Sequence, residues 1–137
     1  MIKLKARINA INSIVRLGEK EEESGVNREV GAKLKKNWRE FDGVQYNLDK
    51  VDMAIHYFDI AFELADSPEL SDLPGNPIPY ILNCKARMLE TVGRKEQAIK
   101  VYEDIIETVN TNWGADNPAY AGYLVAAKSG ISRCQEG

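Results

Sequence analysis

Helix-start and helix-packing signals recur along the chain at nearly constant separations, and this internal repeat constrains the fold more than any other feature. The pairs are Asn76-Pro77 with Asn117-Pro118, 41 residues apart, and Ala54-x3-Phe58 with Ala98-x3-Tyr102, 44 residues apart. Asparagine before proline favours a helix start, because the asparagine side chain can cap and proline suits the first turn. A period of this length is typical of stacked helix pairs. A closed helical bundle stays open as the alternative, because periodicity reports helices and not their stacking.

Apolar side chains recur at helical spacing along the chain, and no segment alternates convincingly at period two. The sequence therefore predicts an all-α fold without a sheet. The degenerate repeat is expected to begin with a helix carrying Val30, Leu34, Trp38 and Phe41, spaced 4, 4 and 3 residues apart and weakened by Asp42-Gly43. Proline and glycine exclude a continuous helix over 67–77. The predicted segments are an N-terminal helix over 1–18 that ends at Gly18, an acidic connector over 19–27, a degenerate repeat over 28–66, a better repeat over 77–112 and a terminal helix over 118–136.

Three local motifs carry a family resemblance. They are Gly93-Arg94-Lys95-Glu96-Gln97-Ala98 followed by Tyr102, the loop Gly114-Ala115-Asp116-Asn117-Pro118, and the pair Leu82-Asn83. Over about residues 28–136 the chain resembles the tetratricopeptide-repeat family, in the long-repeat form found in kinesin light chains. The resemblance implies a short right-handed α-solenoid of antiparallel helix pairs with N-terminal and C-terminal capping helices. The first helix of each pair would then line a concave face.

Charge distribution suggests what such a concave face would bind. Basic residues fall on the predicted first helices and acidic residues on the second helices, so we expect a preference for an acidic or carboxylate-bearing peptide. The alternative is that these charges are solvated and pair between neighbouring helices. The basic set is Lys33, Lys35, Lys36 and Arg39, then Lys85 and Arg87, then Lys128 and Arg133. The predicted partner-binding residues are Tyr80, Asn83, Arg87, Arg39 and Lys36.

Composition narrows the class of protein. The chain has 137 residues, 44% of them hydrophobic, which suits one globular domain. We expect a cytoplasmic protein without a membrane span, because no apolar run reaches about 18 residues and Met1–Arg7 lacks a signal-peptide pattern. Two cysteines make no disulfide framework. The net charge of −3 disfavours nucleic acid as a partner.

Motifs for catalysis, cofactors and metals are missing from the sequence, so we predict no enzyme activity, no cofactor and no metal site. His56, the only histidine, has Asp52 and Asp59 on the same predicted helix face, an arrangement that could bind a metal or act as a base. Carboxylates on an exposed helix are far more often solvated. Cys84 and Cys134 lack a flanking histidine that would mark a reactive thiol.

The sequence therefore predicts a non-catalytic protein-interaction module that binds a peptide or partner element as an adaptor, a chaperone-like cap or an inhibitor. The first alternative is a self-assembling structural protein, because fewer than three full repeats leave ends that must be capped. A second alternative is weak nucleic-acid binding through the helix Lys3–Arg16 and the basic segment Lys33–Arg39.

Overall fold

The computed structural model describes residues 2–29, 31–41, 43–66 and 76–136, and these form five helices and one small sheet. The helices are α1 (Ile2–Ser24), α2 (Leu48–Ala65), α3 (Ile78–Thr91), α4 (Lys95–Asn112) and α5 (Ala121–Glu136). The strands β1 (Val26–Asn27), β2 (Trp38–Phe41) and β3 (Val44–Asn47) pair antiparallel in the order β1–β3–β2. The chain is mostly helical, as predicted, but the expectation of a fold without a sheet is wrong. Val30, Asp42 and the loop predicted within 67–75 lie outside the described residues.

The segment predicted as the first helix of the degenerate repeat forms a loop and a β-hairpin instead. Trp38–Phe41 pairs with Val44–Asn47, and Phe41 lies opposite Val44. The apolar spacing over 30–41 matches the helix period, but Gly31 and Asn37 have φ of 79° and 67°, which a right-handed helix excludes. Gly43 has φ 78°, as a two-residue hairpin turn with an Asp-Gly sequence requires. That Asp-Gly pair was the signal that should have predicted the hairpin.

Helix α1 continues past Gly18, its predicted end, and takes in most of the predicted acidic connector. Gly18 is buried against α2, where a Cβ atom would lie 2.7 Å from the Phe58 ring. The glycine therefore permits a close approach of two helices and does not end one. The acidic run stays helical because glutamate is a good helix former, and Glu21 binds Lys50 of α2 at 3.1 Å.

The core lies where each helix packs against its neighbours in the chain. Helices α1 and α2, α2 and α3, α3 and α4, and α4 and α5 are in contact, and α3 also contacts α5. Ala54 and Ala98 are fully buried where helices approach closely, and Phe58 and Tyr102 are fully buried beside them. The Tyr102 ring covers Gly130 of α5. The Ala-x3-aromatic pairs are thus core residues, and both aromatic rings lie at contacts between helices.

Both Asn-Pro pairs adopt the same local structure. The Oδ1 atoms of Asn76 and Asn117 each accept a hydrogen bond from the N–H two residues later, at 2.9 and 3.0 Å. Tyr120 links the two loops, because its hydroxyl accepts the Asn76 N–H at 2.9 Å and its ring stacks on Trp113 with centroids 4.2 Å apart. The predicted N-cap positions are not the observed ones, because Pro77 and not Asn76 is the N-cap residue of α3, and α5 begins four residues after Asn117.

We expect Gly130→Ala to destabilise the protein, because the added methyl group would overlap the Tyr102 ring. Overpacking of this kind costs about 1–3 kcal/mol. Gly122→Ala on the same helix is the matched control, since nothing lies within 4 Å of its added Cβ atom. It should stabilise the protein by up to about 1 kcal/mol. Urea denaturation measures both free energies of unfolding, and equal values would contradict the close contact of α4 with α5.

Candidate functional site

A trough runs along the exposed side of α3, and we call it the α3 trough. Its first part is a cleft of about 280 Å³ between α1 and α3, and its second part is a cleft of about 500 Å³ between α3 and α5. Asn83 and Arg87 line both clefts, so the two adjoin each other. The first cleft also contains Glu19, Glu22, Tyr80 and Cys84, and the second contains Glu90, Thr91, Tyr102, Ala126 and Arg133.

Three of the predicted partner-binding residues lie together in this trough. Tyr80, Asn83 and Arg87 are spaced three and four residues apart, which places them on one face of α3. Tyr80 is 41% exposed, Asn83 is half-buried and Arg87 is exposed. Within the described part of the chain, the Arg87 guanidinium has no ion-pair partner. Its charge acts at longer range on the carboxyl groups of Glu22 and Glu90 and favours their ionised forms, but its guanidinium donors remain available for an anionic group of a ligand.

The other two predicted residues do not lie on a helix of the trough. Lys36 is in the turn before β2, and Arg39 is in β2 itself, because this segment forms the hairpin. Arg39 is directly opposite Tyr46 of β3, so the two side chains share one face of the sheet. The structure thus divides the five predicted residues between α3 and the region of β2.

The sheet reaches the trough near the C-terminal end of α3. A third cleft of about 300 Å³ is lined by Val44 and Tyr46 of β3 together with Glu90, Thr91 and Arg133, which it shares with the second cleft. Strand β3 therefore borders the end of the trough opposite Tyr80. This border depends on the hairpin, so the sequence reasoning did not anticipate it.

Glu90 connects three helices at the floor of the trough. Its Oε1 accepts hydrogen bonds from the Tyr102 hydroxyl at 2.7 Å and from Nη2 of Arg133 at 3.0 Å, and its Oε2 accepts one from Nε of Arg133 at 2.8 Å. The hydrogen bond from Arg133 lowers the pKa of Glu90, burial opposes this effect, and the Tyr102 hydrogen bond adds to it. The sequence reasoning missed Glu90, since no local signal links it to a residue 43 positions away.

Ion pairs between neighbouring elements use several charges that the sequence hypothesis assigned to a basic concave layer. Lys85 binds Asp59 of α2 at 2.6 Å, and Arg133 binds Glu90. Asp52 binds Arg94 at 2.7 Å, so both carboxylates that flank His56 have a cationic partner elsewhere. Over residues 2–29, 31–41, 43–66 and 76–136, no group of three His, Cys, Asp or Glu side chains could hold a metal ion.

The trough carries acidic groups as well as Arg87. Burial raises the pKa of Glu22, Arg87 opposes this shift, and Glu19 adds to it. The site therefore has mixed charge, with carboxylates on the α1 side and a guanidinium on α3. A ligand with one anionic group near Arg87 suits this arrangement better than a uniformly acidic one.

Cys84, whose thiol lies in the trough, is not an activated nucleophile. Burial raises the pKa of Cys84 to about 11, and a hydrogen bond with Tyr80 only partly opposes this. The proximity of Cys84 in turn raises the pKa of Tyr80 to about 12. Because the thiolate is the reactive form, Cys84 is largely unreactive near neutral pH.

No protein-family model, curated protein or solved structure matches this chain. The resemblance to tetratricopeptide repeats stays a prediction from the motifs of the sequence. Among the described helices, none combines the length and the apolar character needed to cross a membrane.

We expect Arg133→Gln to lower the free energy of unfolding by about 1 kcal/mol at pH 7, since it removes a two-bond ion pair that is half exposed on the arginine side. The lowered pKa of folded Glu90 stabilises the protein above its ordinary value of 4.5, and this contribution disappears as the pH falls through the lowered pKa. The difference between variant and wild type should therefore shrink in acid. Urea titrations at several pH values test this.

Arg94→Gln is the matched control for this prediction, because Arg94 binds a more exposed carboxylate, that of Asp52. An exposed pair of this kind contributes about 0.5 kcal/mol or less. A difference between Arg133→Gln and wild type that is the same at pH 7 and in acid would contradict the role assigned to Glu90.

We expect Cys84 to react slowly with iodoacetamide at neutral pH, because a pKa of about 11 in place of 9.0 leaves about 100-fold less thiolate. The rate should rise with pH up to about 11. Tyr80→Phe should slow the reaction further, since it removes the hydrogen bond that lowers the Cys84 pKa. Mass spectrometry of the alkylated peptides measures this rate separately from that of Cys134, and a fast reaction at pH 7 would contradict the assignment.

Proposed function

We propose that this protein is a non-catalytic interaction module that binds a peptide or an extended partner segment in the α3 trough. In this proposal α1–α2 and α3–α4 are stacked helix pairs of a short right-handed α-solenoid, as in tetratricopeptide repeats, and α5 caps the stack. The packing of each helix on its chain neighbours, with the added α3–α5 contact, supports this arrangement. The trough would then be its concave face, since α1, α3 and α5 contribute to the two main clefts.

The observation that carries the proposal is the guanidinium of Arg87, which lines both clefts and forms no ion pair with a described residue, although its charge acts at longer range on Glu22 and Glu90. An arginine whose donors are not used inside the protein can form paired hydrogen bonds with a carboxylate of the ligand. Tyr80 offers exposed aromatic surface on one side of Arg87. Asn83, which lies between Tyr80 and Arg87 on α3, offers both a hydrogen-bond donor and an acceptor. Together they suit a peptide that has an apolar residue and one acidic residue separated by a short spacing.

Mixed charge in the trough refines the expected ligand. Glu19 and Glu22 line the cleft beside Tyr80, so they disfavour acidic residues at that end of the peptide. The proposed ligand is therefore acidic near Arg87 and neutral or basic near α1. An adaptor, a chaperone-like cap and an inhibitor are all roles that such a binding module would serve.

Selection of peptides from a displayed random library on the purified protein tests this proposal. A selected peptide should bind Arg87→Glu and Tyr80→Ala at least about tenfold more weakly in fluorescence anisotropy, because each variant removes about 1.5 kcal/mol or more of binding free energy. Lys100→Glu on α4 is the control for charge reversal, since Lys100 is exposed and does not line the trough. Selected peptides that bind all three variants as they bind wild type would overturn the proposal.

A further inference from the structure

Strand β2 has one edge that the sheet leaves open. The strand order β1–β3–β2 places β2 at the outside, paired on one side with β3. The pairing of Phe41 with Val44 across a two-residue turn makes Phe41 and Arg39 the residues that bond to β3. Successive residues of a strand direct their backbone groups to opposite edges. The Asn47 N–H agrees with this register, because it donates to the Gly25 carbonyl at 2.8 Å, on the side of β3 away from β2. The backbone groups of Trp38 and Glu40 therefore point toward the open edge.

Most of these outward groups have no partner among the described residues. The Trp38 N–H donates to the Lys35 carbonyl at 3.1 Å. The N–H of Glu40 and the carbonyls of Trp38 and Glu40 remain, with the spacing of a strand edge. These groups match the backbone donors and acceptors of an added strand.

The open edge is held in place before any partner binds. The Asn37 carbonyl accepts the N–H of Leu48 at 2.8 Å, and the Asn37 side chain donates to Asp49 at 3.2 Å. The side-chain amide of Gln45 in β3 donates to the Ala32 carbonyl at 2.7 Å, and this hydrogen bond fixes the loop before β2 to the sheet. Since the strand is already ordered, a partner strand would meet a smaller entropic cost on binding.

Positive charge is concentrated in the segment that leads into β2 and in β2 itself, although the chain as a whole carries −3. Residues 33–39 contain four basic residues and no acidic residue, and the acidic Glu40 follows them. All four basic side chains are exposed, and within the described residues none has an ion-pair partner. They are Lys33, Lys35, Lys36 and Arg39.

We propose that the outer edge of β2 binds an extended acidic peptide segment, which adds to the sheet as a fourth strand. Arg39 would lie beside one acidic residue of the added strand, and Lys36 would lie beside a second acidic residue of the same strand. The backbone edge of β2 is not part of the α3 trough, although Arg39 lies opposite Tyr46, which lines the adjoining cleft, and the proposal does not depend on the trough. The proposal gives a binding role to Arg39 and Lys36, which lie in and before β2 and not on a helix of the trough.

Two other occupants fit the edge less well. A second copy of the chain would bring two basic loops together, which is electrostatically unfavourable. A nucleic acid would satisfy the charge, but its backbone cannot continue the N–H and carbonyl ladder of a strand. Both occupants give distinct outcomes in the test below.

The test uses the full chain and an acetylated, amidated eight-residue peptide of alternating glutamate and valine, labelled for fluorescence anisotropy. Wild type should bind this peptide, and Lys36→Glu with Arg39→Glu should weaken binding at least about tenfold. The same peptide with every amide N-methylated keeps its charge but can donate no backbone hydrogen bond from either edge, so it should not bind. Equal binding of both peptides would overturn the proposal.

Glu40→Pro and Glu40→Gln form a matched pair. Both remove a negative charge, but only proline removes the outward N–H, and the bonds of β2 to β3 are unaffected at this position. Glu40→Gln should bind the peptide as well as wild type or better, and Glu40→Pro about tenfold more weakly. If Glu40→Pro does not fold, the N-methylated peptide on wild type gives the same answer.

Three further results would each overturn the proposal. One is binding of a single-stranded DNA oligonucleotide as tightly as the peptide, since that would mean charge attraction alone. Another is a dimer in light scattering without peptide that Glu40→Pro separates, which would make a second copy the occupant. The third is loss of peptide binding in Arg87→Glu with no loss in Glu40→Pro, which would place the peptide in the α3 trough.

Discussion

Tyr102 sets the position of three helices at once. Its fully buried ring covers Gly130, which lets α5 approach α4 closely, and its hydroxyl donates to Glu90 of α3 at 2.7 Å. Glu90 also binds Arg133, less than one turn beyond Gly130 on α5. A packing contact and a charged network therefore act on the same three helices. The α3 trough exists because α3 and α5 are held at this separation.

The ion pairs determine which charges remain for a ligand. Lys85 and Arg133 are held by carboxylates of neighbouring helices, whereas the Arg87 guanidinium has no such partner among the described residues. Paired charges at a surface contribute little to specificity, because their hydrogen-bonding groups are already used. Because Glu22 and Glu90 act on Arg87 only at longer range, its guanidinium donors can still bind a carboxylate. The proposed ligand is therefore defined by one residue and its two neighbours on α3.

Local patterns predicted the helical part of the chain well and the segment after α1 badly. The apolar stripes of α2 to α5 and the buried alanines and aromatics appear where the sequence placed them, whereas the N-cap residue of α3 is Pro77 and not the predicted Asn76. The apolar spacing of 4, 4 and 3 residues over 30–41 led to the wrong prediction of a helix, because the same spacing is compatible with a loop followed by a short strand. Gly18 misled as well, since a glycine within a helix can serve a close contact as readily as a helix end.

The sequence by itself determined α2 to α5 and the small and aromatic residues of their contacts, since each depends on residues within about one turn of one another. It also placed Tyr80, Asn83 and Arg87 on one helix face, for the same reason. Only the tertiary structure decided that Glu90 meets Arg133, that β3 borders the trough and that Arg39 lies beside an open strand edge. These are pairings between distant parts of the chain, and packing geometry selects them among many partners that the sequence makes equally available.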